Sequence, residues 1–280
     1  MDSFPIGVFD SGVGGLSVLR AIRREFPAQP AIYFADQGHV PYGPRPLEEV
    51  RAFSREITRC LLNLGARLVV VACNTASAAA LYSLRAAFPG IPFVGMEPAV
   101  KPAAEATRSG VVGVLATPAT FQSELYASVI ERFAQGVRVL QDPCRGLVDQ
   151  IESGDLTGPL TRAILETALR PMLTEGLDTV VLGCTHYPFV IPLIQQIAGP
   201  GVRVIDPAPA VARQAGRLLS VNGWVAIGKM PVPLRFITSG DPIRFSCLLP
   251  LLLGESGVAE PADWRGEELV GCVKSLPGDS

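Results

Sequence analysis

Short apolar runs alternate along the chain with stretches whose apolar positions recur at helical spacing. The runs Ile6–Phe9, Ala31–Ala35, Leu68–Ala72, Phe93–Met96, Val111–Ala116, Arg138–Gln141, Thr179–Leu182, Val202–Ile205 and Arg235–Thr238 predict β-strands. Most are continuously apolar, as expected of strands covered on both faces, and this favours parallel βαβ winding. Between the second and third runs, Val50, Phe53, Ile57, Leu61 and Leu64 share one helical face, with Pro46 suited to the helix's first turn. The expected fold is α/β: two similar doubly wound lobes with mainly parallel sheets and a cleft between them. Beyond about Ile243 the pattern fades, and the tail Pro277–Ser280 is expected to fray.

An internal echo divides the chain. Leu68–Thr75 (LVVVACNT) resembles Thr179–His186 (TVVLGCTH), and Ile6–Ser11 (IGVFDS) resembles Val112–Thr117 (VGVLAT) at nearly the same offset. Proline-rich segments at Glu97–Ala99 and Asp206–Pro209 are natural crossings. One lobe is therefore expected to hold residues 1–98 plus 208–280, and the other residues 99–207.

In doubly wound sheets ligands bind beyond the carboxyl ends of the strands. Asp10 and Ser11, Cys73 to Thr75, Thr117, and Cys184 to His186 all follow a predicted strand directly. Facing lobes would bring them to one cleft. A single strand-end cysteine is more often a small hydrophobe than a nucleophile, and that reading is taken for Cys60, Cys247 and Cys272, with Cys144 leaning the same way. It weakens for Cys73 and Cys184, which stand in matching contexts followed by hydrogen-bonding residues. Asp10 could instead cap the helix starting near Gly14, and His186 could be a packing histidine. Ser11–Ser17 (SGVGGLS) invites a dinucleotide reading, but Ser17 stands where G-x-G-x-x-G needs its last glycine. The glycines are better read as allowing a sharp turn that aims backbone amides at a carboxylate.

Composition narrows the chemistry. The 280 residues are 48% hydrophobic and 18% charged, enough to bury a large core. A net charge of −2 without a basic run argues against nucleic acid or a membrane surface as partner. No run is long enough to span a bilayer and no signal peptide is recognisable, so a soluble, cytosolic protein is expected. The six cysteines are scattered and are expected to be reduced. With two histidines and no zinc-type spacing, a metal site is not expected.

Two thiols on either side of one carbon suggest stereochemical inversion, one sulfur removing the α-proton and the other delivering a proton to the opposite face. Asp10 near Cys73 and His186 near Cys184 would assist, since an unassisted thiol is little ionised at neutral pH. Two other classes stay open here: a Cys184–His186 hydrolase with Cys73 structural, and a binding protein that keeps the cleft without catalysis.

At these residues the chain resembles the glutamate racemases. The likeness runs through Phe9–Ser17, Pro41–Gly43, Ala72–Ala76, Lys101–Ala103, Gly183–Pro188 and Thr238–Asp241. It implies a cofactor-independent racemase that supplies D-glutamate for peptidoglycan, with Cys73 taking the proton from D-glutamate and Cys184 from L-glutamate. It implies Asp10, Glu152 and His186 as helpers. Substrate contacts are implied for Asp10, Ser11, Tyr42, Gly43, Asn74, Thr75, Thr117, Thr120, Thr185 and His186. It also implies a homodimer whose small-molecule partner is glutamate, with aspartate or another acidic amino acid as the alternative substrate. Arg145, after Cys144, departs from the family's usual proline. The short stretch ahead of Asp10 gives no expectation of regulation through an N-terminal segment.

Overall fold

The computed structural model describes residues 4–228 and 230–272. Its strands are β1 (Ile6–Asp10), β2 (Ala31–Ala35), β3 (Leu68–Val71), β4 (Phe93–Gly95), β5 (Val111–Ala116), β6 (Arg138–Asp142), β7 (Thr179–Gly183), β8 (Arg203–Ile205), β9 (Arg235–Thr238), β10 (Ala259–Pro261), β11 (Asp263–Arg265) and β12 (Glu268–Val270). Six form one sheet in the order β10-β9-β2-β1-β3-β4, and four form a second in the order β6-β5-β7-β8. All pairs in both sheets are parallel. The small pair β11–β12 is antiparallel. The α/β expectation holds, and β1, β2, β3 and β7 are buried at every position, which explains their uninterrupted apolar runs.

The core crosses between the sheets. One continuous cluster takes in Val8 and Val70 of the first sheet, Leu115 and Leu182 of the second, and the helices Leu16–Glu25, Pro159–Thr174 and Ala208–Val221. The carboxyl ends of β1, β3 and β7 therefore lie around a shared centre, and their chemistry-bearing residues follow immediately.

Several local expectations are corrected. Pro46 stands at the N-cap of the helix Leu47–Asn63 rather than within its first turn. Between Ile243 and Cys272 the chain carries regular elements: a helix spans Pro242–Leu252, capped by the Asp241 carboxylate on the amides of Ile243 and Arg244, and β10 extends the first sheet. Cys60 and Cys272 form a disulfide, against the expectation of six thiols, because β11–β12 carries the chain back onto the helix Leu47–Asn63. Cys73, Cys144, Cys184 and Cys247 are free. Pro277–Ser280, expected to fray, lies outside the described residues. Among the described residues no helix is long and apolar enough to cross a membrane.

Candidate active site

Cys73 is the N-cap of the helix Asn74–Ala87, and its sulfur accepts from the Ala76 amide at 3.4 Å. Burial lifts its pKa well above the usual thiol range and the neighbouring charge of Asp10 adds to this, against the opposing pull of the Ala76 and Ser11 amides. In this arrangement Cys73 is a thiol. Asp10 is itself fully buried. Its Oδ1 accepts from the Gly12 amide at 2.8 Å and its Oδ2 from the Thr185 hydroxyl at 2.9 Å. Burial raises Asp10 from 3.8 to about 6, with His186 pulling the other way. The helix Leu16–Glu25 begins after Gly15 without a side-chain cap, so Asp10 is no helix cap.

Around the second cysteine the partners differ. Cys184 Sγ lies 3.7 Å from His186 Nδ1, and His186 Nε2 lies 2.7 Å from Glu152 Oε1. Burial would lower the His186 pKa, but the bonds to Cys184 and Glu152 outweigh it and hold it well above the usual imidazole value. Glu152 is partly buried, which would raise its carboxyl, yet His186, Gln37 and the Val13 amide together hold it below the ordinary value. Glu152, an unremarkable surface carboxylate in sequence, is thus an ionised group under His186 with its side chain 12% exposed.

The two cysteines line one narrow cavity of about 20 Å³. Ser11, Tyr42, Gly43, Asn74 and Thr75 line it from the first sheet's side. Thr117, Thr185 and His186 line it from the second. Asp10 and Glu152 sit behind this wall, and Thr120, also buried, reaches the cavity only through Thr117. Thr75 and Thr117 touch across the cleft, hydroxyl to hydroxyl, at 3.1 Å. Asn74 stands out: it is buried, and neither polar atom of its amide has a hydrogen-bond partner among the described residues. A buried amide left so costs free energy unless a ligand or water meets it. A volume of this size holds about one water, so an amino acid enters only when the walls part.

The sequence matches the Asp/Glu/hydantoin racemase family over residues 6–215. The chain belongs to that family. It is 51% identical over 256 residues to a glutamate racemase of Stutzerimonas stutzeri, covering 91% of this chain and 96% of the relative. Among solved structures it is similar to a glutamate racemase isoform from Bacillus anthracis, with a TM-score of 0.83 and 34% identity, covering 93% of this chain and 97% of that one. It is also similar to the Escherichia coli glutamate racemase solved with L-glutamate, with a TM-score of 0.82 and 32% identity, covering 94% and 100% of the two chains.

Within this racemase fold the glycine-rich loop has a use other than the expected one. The Val13 amide does meet a carboxylate, but it is that of Glu152, at 2.7 Å. A Cβ on Gly12 would lie 1.8 Å from Glu152 Oε1, and one on Gly14 would lie 2.3 Å from His186 Nδ1. Neither glycine has a positive φ. They are small because side chains from the other sheet fill the space.

Other site residues escaped the sequence reading. Asp36, fully buried at the end of β2, accepts from the Tyr42 hydroxyl and the Ser239 hydroxyl, each at 2.6 Å, and from Trp264 Nε1 at 2.8 Å. It fixes the loop that carries Tyr42 and Gly43. Its place after an apolar strand, like that of Asp10, was the available signal. Ser17 and Gln37, which bond across to the second sheet, carried none.

Proposed function

We propose that this enzyme interconverts L- and D-glutamate without a cofactor, using Cys73 and Cys184 as the two proton-transfer groups. The observation that carries the reading is the pairing of two buried sulfurs on one cavity, each following a strand of a different sheet and each given opposite local chemistry. Cys73 lies beside an acidic group and is held as a thiol. Cys184 lies beside a buried imidazole that is itself braced by a carboxylate. That imidazole stands within reach of the sulfur, placed to take its proton and to return it.

The site is then poised in one direction. Cys184 as thiolate takes the α-proton of L-glutamate, leaving a carbanion whose charge spreads into the substrate carboxylate. The Cys73 thiol gives its proton to the opposite face, forming D-glutamate. At the end Cys184 holds the proton and Cys73 is the thiolate, which is the starting form for D-glutamate. Asp10 and His186 are the helpers of Cys73 and Cys184, with Glu152 fixing the imidazole. The α-carboxylate and ammonium need both acceptors and donors, which the unpartnered Asn74 amide supplies, with Ser11, Thr75, Thr117, Thr185 and the Tyr42–Gly43 loop around it. Exclusion of water strengthens every one of these contacts.

The lobes are taken as residues 1–98 plus 208–280 and residues 99–207; strand membership in the two sheets supports that division. Each lobe contributes one thiol, so their separation follows lobe closure. The setting proposed is the bacterial cytoplasm, the product a D-glutamate destined for peptidoglycan, and the assembly a homodimer. In a reducing cytoplasm Cys60 and Cys272 would spend part of their time as thiols.

The test is substitution. Cys73→Ala and Cys184→Ala are each expected to abolish racemisation of both enantiomers, as followed by polarimetry. Full activity in either variant refutes the two-thiol scheme. Retained activity in Cys73→Ala alone would favour a Cys184–His186 nucleophile.

A further inference from the structure

We propose that Gln37 is a positioning residue for proton transfer at Cys184: it holds Glu152 across the cleft, so that His186 is set against the sulfur only while the two sheets' loops face each other. This rests on the two-thiol reading above.

Gln37 follows β2 of the first sheet, whereas Glu152 ends the helix Leu147–Glu152, between two strands of the second. Gln37 Nε2 donates to Glu152 Oε2 at 2.8 Å. The other oxygen, Oε1, meets the Val13 amide at 2.7 Å and His186 Nε2 at 2.7 Å. Two of these three donors therefore come from the far side of the cleft. With the walls parted, Glu152 would keep His186 alone, and a carboxylate with one partner is free to turn.

The glutamine is itself held. The Thr238 hydroxyl, buried at the end of β9, accepts from the Gly240 amide at 3.0 Å and donates to Gln37 Oε1 at 3.0 Å. That leaves Nε2 as the group facing Glu152, and a flipped amide would set a donor against a donor and an acceptor against a carboxylate. A Cβ on Gly240 would stand 2.7 Å from the Gln37 Cβ, so a side chain there would displace the glutamine. The resulting relay is Thr238–Gln37–Glu152–His186–Cys184. Its last contact is long, at 3.7 Å, and a small rotation of the imidazole decides whether Nδ1 faces the sulfur.

The experiment measures primary isotope effects with α-deuterated L- and D-glutamate on the full-length enzyme. In Gln37→Ala, kcat should fall about tenfold, the scale of one lost bond to a charged group. The isotope effect should rise for L-glutamate, whose proton goes to Cys184, and fall for D-glutamate, whose proton goes to Cys73. Thr238→Val keeps the glutamine but frees its amide, and it should shift the two effects in the same senses by less. It carries the test alone if Gln37→Ala does not fold. Isotope effects that stay unchanged, or that move together for the two enantiomers, overturn the proposal, because a merely structural role lowers both directions alike. That failure is separable from failure of the two-thiol reading, which would show as racemisation by Cys184→Ala.

Discussion

The Thr185 hydroxyl donates to the Asp10 carboxylate at 2.9 Å, joining the loop after β7 to the end of β1 beneath the cavity. Among the described residues Asp10 has no basic side chain as a hydrogen-bond partner, and burial raises its pKa from 3.8 to about 6. Between these values the folded protein holds a proton that the unfolded chain releases. Stability therefore falls as pH rises from about 4 to 6 and stays lower above that. Asp10→Asn keeps the shape and removes the buried charge. It should be more stable than the parent at pH 8 by up to about 3 kcal/mol, with the gap closing below pH 4, while racemisation is lost. Urea unfolding at both pH values checks this, and a variant less stable than the parent at pH 8 would contradict it.

Gly12 tests the meeting of the sheets. In Gly12→Ala the new methyl must displace the Glu152 carboxylate, which its Cβ would meet at 1.8 Å. Activity should fall on the order of tenfold or more, as for loss of a positioned electrostatic group. Gly201→Ala serves as control, since its Cβ would meet nothing within 4 Å. Equal activity in the two variants would show that Glu152 has no part in the reaction.

Asn74 tests the vacant hydrogen-bonding capacity of the cavity. Asn74→Ala should raise KM for both enantiomers at least tenfold, as expected when a buried amide no longer meets its ligand. Its thermal stability should be unchanged or slightly higher, because the amide has no partner to lose among the described residues. A large drop in Tm with KM unaltered would assign Asn74 to the fold instead.

The disulfide is open to direct counting. Under oxidising conditions the denatured, unreduced chain should show four reactive thiols, and six after reduction, since only Cys60 and Cys272 are paired. Cys60→Ser should cost stability on the order of 2–4 kcal/mol under those conditions. It should also weaken the seat of Trp264, whose indole donates to Asp36 beneath Tyr42, and so raise KM. Six thiols without reduction would remove the link.

Much of the fold was legible because its strands are buried on both faces. The nine predicted strands all form, six with one end shifted by a single residue: Asp10, Asp142 and Gly183 join their strands, while Ala72, Met96 and Val202 fall outside theirs. The C-terminal part was illegible for physical reasons. The helix Pro242–Leu252 carries Pro250 inside it and exposes Ile243 and Leu251, so no clean apolar stripe marks it. The edge strand Ala259–Pro261 has two exposed residues of three and takes its register from β9. Of the residues that line the cavity, Tyr42 and Gly43 came only with the family resemblance, whereas Ser11, Cys73 to Thr75, Thr117 and Cys184 to His186 announced themselves by following apolar strands. The groups behind them did not: Glu152 receives the Val13 amide from 139 residues away, and Gln37 meets Glu152 from 115 away. No local pattern records such pairings, because they exist only once both sheets are folded and facing.

The central claim is that two groups, not one, handle the α-proton. It is tested most directly by running each glutamate enantiomer separately in D₂O and following the α-carbon by NMR and mass spectrometry. The account predicts solvent deuterium in the inverted product from the first turnovers, with recovered substrate still carrying its original hydrogen. Early labelling of recovered substrate at a rate comparable to that of product would mean a single base exchanging its proton, and would contradict it.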